Sequence, residues 1–274
     1  MTPSPPIAAV LGYPVTHSRS PRLHGHWLER HKIAGHYVPL QVAPEDLEAA
    51  LALLPRLGFR GANVTLPHKE AALALAAEAT PTARRIGAAN TLFFSDAGIR
   101  ADNTDAYGFT RNILDHRPDW RPRVAAVIGA GGAARAIIVA LLDQGAHEIR
   151  LTNRTPDRAA HLAQEFGAAI RVHPWQARSD MLSGCDTLVN AAALGMTGKP
   201  PLELSLDALP QDAIVNDLVY APLETALLAA ARARGNPAVD GLGMLLHQAV
   251  PGFEGWFGLR PAVDAALRDA VLAP

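Results

Sequence analysis

Only one cysteine occurs in the chain, at position 185. An intramolecular disulfide is therefore excluded, and a reducing compartment is the natural setting. No stretch reaches the roughly 18 apolar residues of a membrane-spanning helix. Met1–Pro6 carries neither the basic start nor the long apolar run of a secretory leader. Aromatic residues make up only 5% of the chain, and the net charge is only −1. A chain so close to neutral has no electrostatic footprint for nucleic acid or an anionic membrane, although local donors can still hold a small anion. Short-period repeats and low-complexity tracts are missing as well. These absences point to a cytoplasmic protein that acts on small molecules; a monomer or homodimer is expected, though no sequence feature fixes which. Its 274 residues, 49% of them hydrophobic, suffice for one large or two modest domains with a real core.

Metal and thiol chemistry find little support. The 11 histidines include no H-E-x-x-H pattern. His24 and His26 lie two apart on an expected helix and so face apart, and His24 with His31 would supply only two ligands. No metal is expected. Cys185, in Ser-Gly-Cys-Asp before an apolar run, reads as a strand entrance in preference to a catalytic thiol.

The remaining pattern alternates strand and helix. Strands are expected over residues 7–11, 37–42, 61–66 and 90–94. Helices are expected from Ser20-Pro21 to about His31, from Pro44, and from Pro67 onward. Such alternation implies a mainly parallel sheet with its ligand edge at the carboxyl ends of the strands. After the polar stretch 117–122 a second α/β pattern begins, with strands over 124–128, 148–152, 169–172, 186–191 and 213–218. Residues 244–272 close the chain with a helical pattern that fits packing back on the first domain.

Gly129-Ala130-Gly131-Gly132-Ala133-Ala134 lies between an expected strand and the helix 134–143, and fits G-x-G-x-x-A. In that setting the first glycine permits a tight turn and the second lets backbone approach a pyrophosphate. The alanine lets helix and strand pack closely. The next strand ends in Asn153-Arg154-Thr155, with Arg158 one turn on. An NAD site usually has an acid there for the ribose 2′-hydroxyl; an arginine suits a 2′-phosphate. NADP is the cofactor this edge predicts, with Asp157 as a contrary sign and a solvated Arg154 as the plainer reading.

Neutral donors gather in the first pattern. Ser18-Arg19-Ser20, Asn63-Val64-Thr65 with Lys69, Asn90-Thr91, and the run Asp102 to Asp105 all fall at or near strand ends. Hydroxyls, amides, one ammonium and one carboxylate suit a ligand with several hydroxyls and one carboxylate. Singly they have plainer readings: Ser18 and Ser20 as turn and cap residues, Lys69 as an exposed helix start, Asp102–Asp105 as an Asx turn. Their placement along one edge argues against coincidence.

In order along nearly the whole chain, several motifs together resemble the shikimate dehydrogenase family. They are HSRSP (17–21), NVTLP (63–67) with Lys69-Glu70, GAANT (87–91), DNTD (102–105) with Gly108-Phe109, GAGGA (129–133), NRT (153–155), Val219-Tyr220, and GLGM (241–244) with Gln248. The resemblance implies an α/β chain of two domains. Residues 1–105 with 240–274 would form a mainly parallel substrate domain, and residues 106–239 a Rossmann-type NADP-binding domain. It implies reversible reduction of 3-dehydroshikimate to shikimate with NADPH, in chorismate and aromatic amino acid biosynthesis. Lys69 and Asp105 would be the catalytic pair. Ser18, Ser20 and Tyr220 would hold the substrate carboxylate, and Thr65, Asn90, Asp105 and Gln248 the ring hydroxyls. Leu218 and Gly241 would lie near the nicotinamide.

Three departures stand out. His68 replaces a phenyl ring before the lysine and would alter the polarity of the cleft. Asn190-Ala191-Ala192 lacks the usual threonine, and Leu218 stands where methionine is common. Quinate/shikimate and aminoshikimate dehydrogenases share this scaffold and are the rival readings, with a non-catalytic NADP-binding sensor further off. Gly108 and Gly241 read equally as hinges and as ordinary turn glycines.

Overall fold

The computed structural model describes residues 4–273, so the first three residues of the Met1–Pro6 stretch lie outside it. Two compact units emerge, residues 1–104 with 246–274, and residues 105–245.

The first unit begins with β1 (Ile7–Gly12), α1 (Ser20–Arg30), β2 (His36–Gln41), α2 (Leu47–Leu53), β3 (Phe59–Val64), α3 (Lys69–Ala74), β4 (Glu78–Ala79), α4 (Pro81–Ile86), β5 (Thr91–Ser95) and β6 (Gly98–Asp102). Its six strands run in the order β2-β1-β3-β5-β6-β4. Pairings β1·β2, β1·β3 and β4·β6 are parallel; β3·β5 and β5·β6 are antiparallel. The sheet is thus mixed, where alternation alone favoured mainly parallel strands. The cause is the β5–β6 hairpin: Asp96 and Ala97 turn the chain, and Gly98 takes φ 110°. Strand β6 does carry strand alternation, Ile99 and Ala101 against Arg100 and Asp102, but over only five residues, directly after the hairpin turn. Helix α4 is bounded by chemistry the sequence does carry. The Thr80 hydroxyl accepts from the Ala83 N–H, Pro81 opens the helix, and left-handed Gly87 closes it.

Two helix starts differ from expectation. Ser20 is not a cap: the N-cap position falls on Arg19, and Ser20 is a buried residue of the first turn. Pro67 does not open α3 either; it follows a cis peptide bond after Leu66, and the helix starts at Lys69.

The second unit begins with α5 (Asp105–His116) and continues with β7 (Val124–Ile128), α6 (Gly132–Asp143), β8 (Glu148–Thr152), α7 (Pro156–Phe166), β9 (Ile170–Val172), β10 (Thr187–Asn190), β11 (Ile214–Asp217), α8 (Ala226–Arg234) and β12 (Ala238–Val239). Its sheet order is β12-β11-β10-β7-β8-β9, and every pairing is parallel. Parallel strands buried on both faces read as apolar runs, as 124–128 and 187–189 do. The order reverses beside β7, where α/β sheets take ligands. Cys185 packs in this unit's core. Burial pushes its thiol up to about 11, and its Sγ donates weakly to the Met181 carbonyl. A thiol so placed is not a nucleophile.

The closing segment forms two helices, α9 (Leu242–Phe257) and α10 (Ala265–Leu272), separated at left-handed Gly258. Residues 246–274 belong to the first unit. Trp256 Nε1 donates to the Leu92 carbonyl of β5, Trp27 Nε1 to Ala262, and Arg30 pairs with Asp264.

His24 sits at the centre of that packing. It is fully buried and stacks on Tyr37 at 4.0 Å between ring centroids, with Phe253 and Trp256 within 6 Å. Neither ring nitrogen has a well-formed hydrogen bond, and the nearby Asn63 amide offsets little of the burial, so the pKa falls from 6.5 to about 3. The unfolded chain therefore binds the extra proton between those limits. Stability from this site is complete above about pH 6.5 and is lost as pH falls toward 3, by up to about 1.4 kcal/mol per pH unit. His24→Phe keeps an aromatic stack and removes the titration. The urea midpoint of the variant should fall less between pH 7 and pH 4.5 than that of the parent; equal falls would refute a depressed His24.

Candidate active site

In the first unit, hydrogen bonds converge on Asn90, the residue just before β5. Its carbonyl accepts from Val64 N–H at the end of β3, and its N–H donates to the Asp102 carbonyl at the end of β6. The preceding residue, Ala89, donates its N–H to the Lys69 carbonyl at 2.8 Å. The start of α3 is thereby fixed beside the strand ends.

Side chains extend this convergence as one directed chain. The Tyr37 hydroxyl donates to Asn63 Oδ1 at 2.6 Å, and Asn63 Nδ2 donates to Thr91 Oγ1 at 3.2 Å. The Thr91 hydroxyl donates to Asn90 Oδ1 at 2.9 Å. Asn90 Nδ2 donates to Thr104 Oγ1 at 3.1 Å and to Gln248 Oε1 at 3.3 Å, and the Thr104 hydroxyl donates to the Gln248 carbonyl at 2.8 Å. Burial raises the pKa of the Tyr37 phenol well above the ordinary tyrosine value, and the nearby Ser20 hydroxyl opposes that shift. All these residues are buried.

Of the expected substrate residues, Asn90 and Gln248 therefore share one network, and Ser20 is buried close to its Tyr37 end. Ser18, Thr65 and Lys69 are half-buried near it in the fold. Ser18 Oγ accepts from the Ser20 N–H, and the Thr65 N–H donates to the Leu11 carbonyl at the end of β1. Asp105 follows Thr104 directly and opens α5 as a buried residue. His68 does not take the expected place. It is buried, with Nε2 at 2.8 Å from the Val42 carbonyl, so it ties the turn before α3 to the end of β2. The part played by Tyr37 was not legible, since nothing in the pattern 36–41 tells where a strand tyrosine sends its hydroxyl.

The second unit holds a cavity of about 220 Å³ at the carboxyl ends of β7, β8 and β10. Gly129, Ala130 and Gly131 form its floor, and Gly132 and Ala133 begin α6 without a side-chain cap. Gly129 has φ 107°, and a Cβ there would press within 3.0 Å of the Ala191–Ala192 peptide. A Cβ on Gly131 would meet no protein atom, so this backbone is open to a ligand. Asn153 ties the floor to the wall: its Oδ1 accepts from the Ala130 N–H, and its Nδ2 donates to the Thr155 carbonyl. Arg154 and Arg158 line the cavity and are exposed; no carboxylate lines it, and Asp157 is not among the lining residues. Uncapped N–H groups, open glycine backbone and acid-free cations fit a dinucleotide carrying an extra phosphate.

Asp217 organises the loop after β11. Its carboxylate accepts from Asn190 Nδ2 at 2.8 Å, the Thr225 hydroxyl at 2.7 Å and the Val219 N–H at 3.0 Å. Burial pushes its pKa up, and these three donors oppose that shift. Leu218 and Tyr220, both half-buried, are positioned by this knot. A Cβ on Gly241 would lie 2.2 Å from the Leu218 carbonyl oxygen. That close approach accounts for the glycine without any hinge. Among the described residues no group of three metal-ligating side chains forms, and no helix is long and apolar enough to cross a membrane.

Comparison with known proteins agrees along the chain. Residues 10–92 match the shikimate dehydrogenase substrate binding domain, and residues 112–195 match shikimate / quinate 5-dehydrogenase. A shikimate dehydrogenase (NADP(+)) of Paracoccus denitrificans is 60% identical over 98% of this chain and 96% of its own length. The crystal structure of shikimate 5-dehydrogenase from Thermus thermophilus, in complex with NADP(H) and shikimate, superposes with a TM-score of 0.86 at 38% identity, covering 97% of this chain and 98% of that one. Quinate dehydrogenase from Corynebacterium glutamicum, in complex with NAD, gives a TM-score of 0.90 at 31% identity, covering 97% and 98%. With such agreement over both units, the chain belongs to the shikimate dehydrogenase family.

Proposed function

We propose that the protein is the NADP-dependent shikimate dehydrogenase of aromatic amino acid biosynthesis, acting in the cytoplasm as a monomer or homodimer. What carries the reading is near-full-length identity of 55 to 60% to enzymes of that name. The first unit, with the C-terminal helices, takes the substrate, and the second takes the cofactor.

When bound, NADPH supplies the hydride for the ring ketone. Lys69 donates the proton to the developing alkoxide, and Asp105 orients it. Thr65, Asn90, Asp105 and Gln248 meet ring hydroxyls, and Ser18, Ser20 and Tyr220 hold the carboxylate. Asn90 and Gln248 are already oriented by the buried chain, so their amides lose little entropy on binding. Leu218 and Gly241 line the nicotinamide end, and Asn153, Arg154, Thr155 and Arg158 the 2′-phosphate end above the Gly129–Ala133 loop. In the oxidation direction Lys69 must accept the proton, so that rate should rise with pH.

Three measurements test the assignment. In Lys69→Ala, kcat for shikimate oxidation should fall by roughly 10²- to 10⁴-fold, with KM changing much less; near-normal turnover would remove Lys69 from the mechanism. Absorbance at 340 nm with each substrate and cofactor pair should rise strongly with shikimate and NADP⁺ and weakly with quinate or NAD⁺. In Arg154→Gln, the Kd for NADP⁺ should rise roughly tenfold, as for a lost charge-assisted bond, with that for NAD⁺ unchanged. Equal use of NAD⁺ by the parent protein would overturn the cofactor preference.

A further inference from the structure

The dinucleotide cavity has a second side that the family motifs do not cover. It is lined by Trp175, Leu194, Lys199 and Pro200, facing the same space as Arg154 and Arg158. Trp175 lies in the single turn after β9 and packs against the core of its unit. Its position is braced: the Arg178 guanidinium sits 4.8 Å from its ring centroid, fixed by hydrogen bonds to the carbonyls of Glu203 and Trp175 itself. Lys199 stands on a tight turn. Its N–H donates to the Met196 carbonyl, Gly198 has φ 77°, and the Gly195 N–H donates to the Pro200 carbonyl. A further bond, from Thr197 N–H to the Ala221 carbonyl, anchors the turn. Among the described residues Arg154, Arg158 and Lys199 form no ion pair with any carboxylate, while most other arginines of this unit do. Three like charges on one small cavity repel one another, and a bound anion would relieve that repulsion.

We propose that Trp175 and Lys199 complete the cofactor groove of this chain, Trp175 as an aromatic wall for the adenine and Lys199 as a third positive charge at the ribose 2′-phosphate. The inference rests on the groove reading above. A purine gains from a flat aromatic face whatever its substituents, so Trp175 contributes equally to NAD⁺ and NADP⁺. Lys199 is exposed and acts as a point charge, so its contribution is confined to the 2′-phosphate and weakens with salt.

The test uses the full chain and two fragments that contain no nicotinamide, 5′-AMP and adenosine 2′,5′-bisphosphate, with binding followed by calorimetry. Lys199→Gln should weaken the bisphosphate roughly fivefold, leave 5′-AMP unchanged, and flatten the salt dependence of the bisphosphate. Trp175→Leu should weaken both fragments alike, by roughly tenfold. Trp175→Phe keeps a ring and should bind both nearly as the parent does, while losing the tryptophan quenching expected when 5′-AMP stacks on Trp175 of the parent. That second variant decides the matter if Trp175→Leu does not fold. Equal affinity of Lys199→Gln and parent for the bisphosphate overturns the role of Lys199; unchanged quenching in Trp175→Phe overturns that of Trp175. Arg154→Gln serves as the reference. If it weakens the bisphosphate and Lys199→Gln does not, only this inference falls. If neither changes it, the groove reading falls too.

Discussion

The buried hydrogen-bond chain from Tyr37 through Asn63, Thr91, Asn90 and Thr104 to Gln248 is the constraint on which the substrate side depends. Each step has a donor facing an acceptor, so none of these buried groups is left unsatisfied, and removing one would strand its neighbour at a cost of about 1–3 kcal/mol. The chain joins β2, β3 and β5 to the residues after β6 and to α9. It explains why residues from opposite ends of the sequence form one unit: Asn90 and Gln248 are 158 positions apart and share a hydrogen bond. An apolar core would bind these elements equally well but would not orient amides and hydroxyls. Orientation is what a polyhydroxylated substrate requires.

The second unit solves a similar problem with one carboxylate. Asp217 gathers donors from β10, from its own loop and from the start of α8. Because its pKa is pushed up by burial and held back only by those donors, the knot is strongest with all three in place. The Asn190 carbonyl also accepts from the Leu218 N–H, so the ends of β10 and β11 are locked together. The Ala191–Ala192 peptide then closes on Gly129. This gives a physical account of why Asn190-Ala191-Ala192 tolerates losing the usual threonine: its fixed parts are the Asn190 amide and the peptide against the glycine, and neither needs a hydroxyl.

Strands with uninterrupted apolar runs and loops with glycine chemistry were legible in advance. Residues 124–128 and the Gly129 turn fall where the pattern puts them, and so does the Asn153-Arg154 edge. What escaped was decided by tertiary partners. Strand β6 is half charged and is a strand only because β5 pairs with it on one side and β4 on the other. Ser20 resembles a helix cap, yet it is drawn one position inward and buried in the first turn. His68 resembles a cleft residue, and the Val42 carbonyl claims it. Local sequence gives the type of each polar group; which partner it finds depends on register between strands distant in sequence.

The same distinction governs charge. A net charge of −1 conceals a strongly uneven distribution. In the second unit Arg111, Arg135, Arg150, Arg171, Arg232 and Arg234 are each matched by a carboxylate. Arg154, Arg158 and Lys199, which line the cavity, have no such partner among the described residues. The exposed pairs among the matched arginines, such as Arg111–Asp115 and Arg232–Glu224, add little stability, roughly 0–1 kcal/mol each. Under the proposed reading, the unpaired cations of the cavity make it a place where an added phosphate is favoured over bulk water. On that reading, discrimination between two cofactors that differ by one phosphate would rest on a few unpaired groups within a Debye length of about 10 Å, and net charge carries no trace of it.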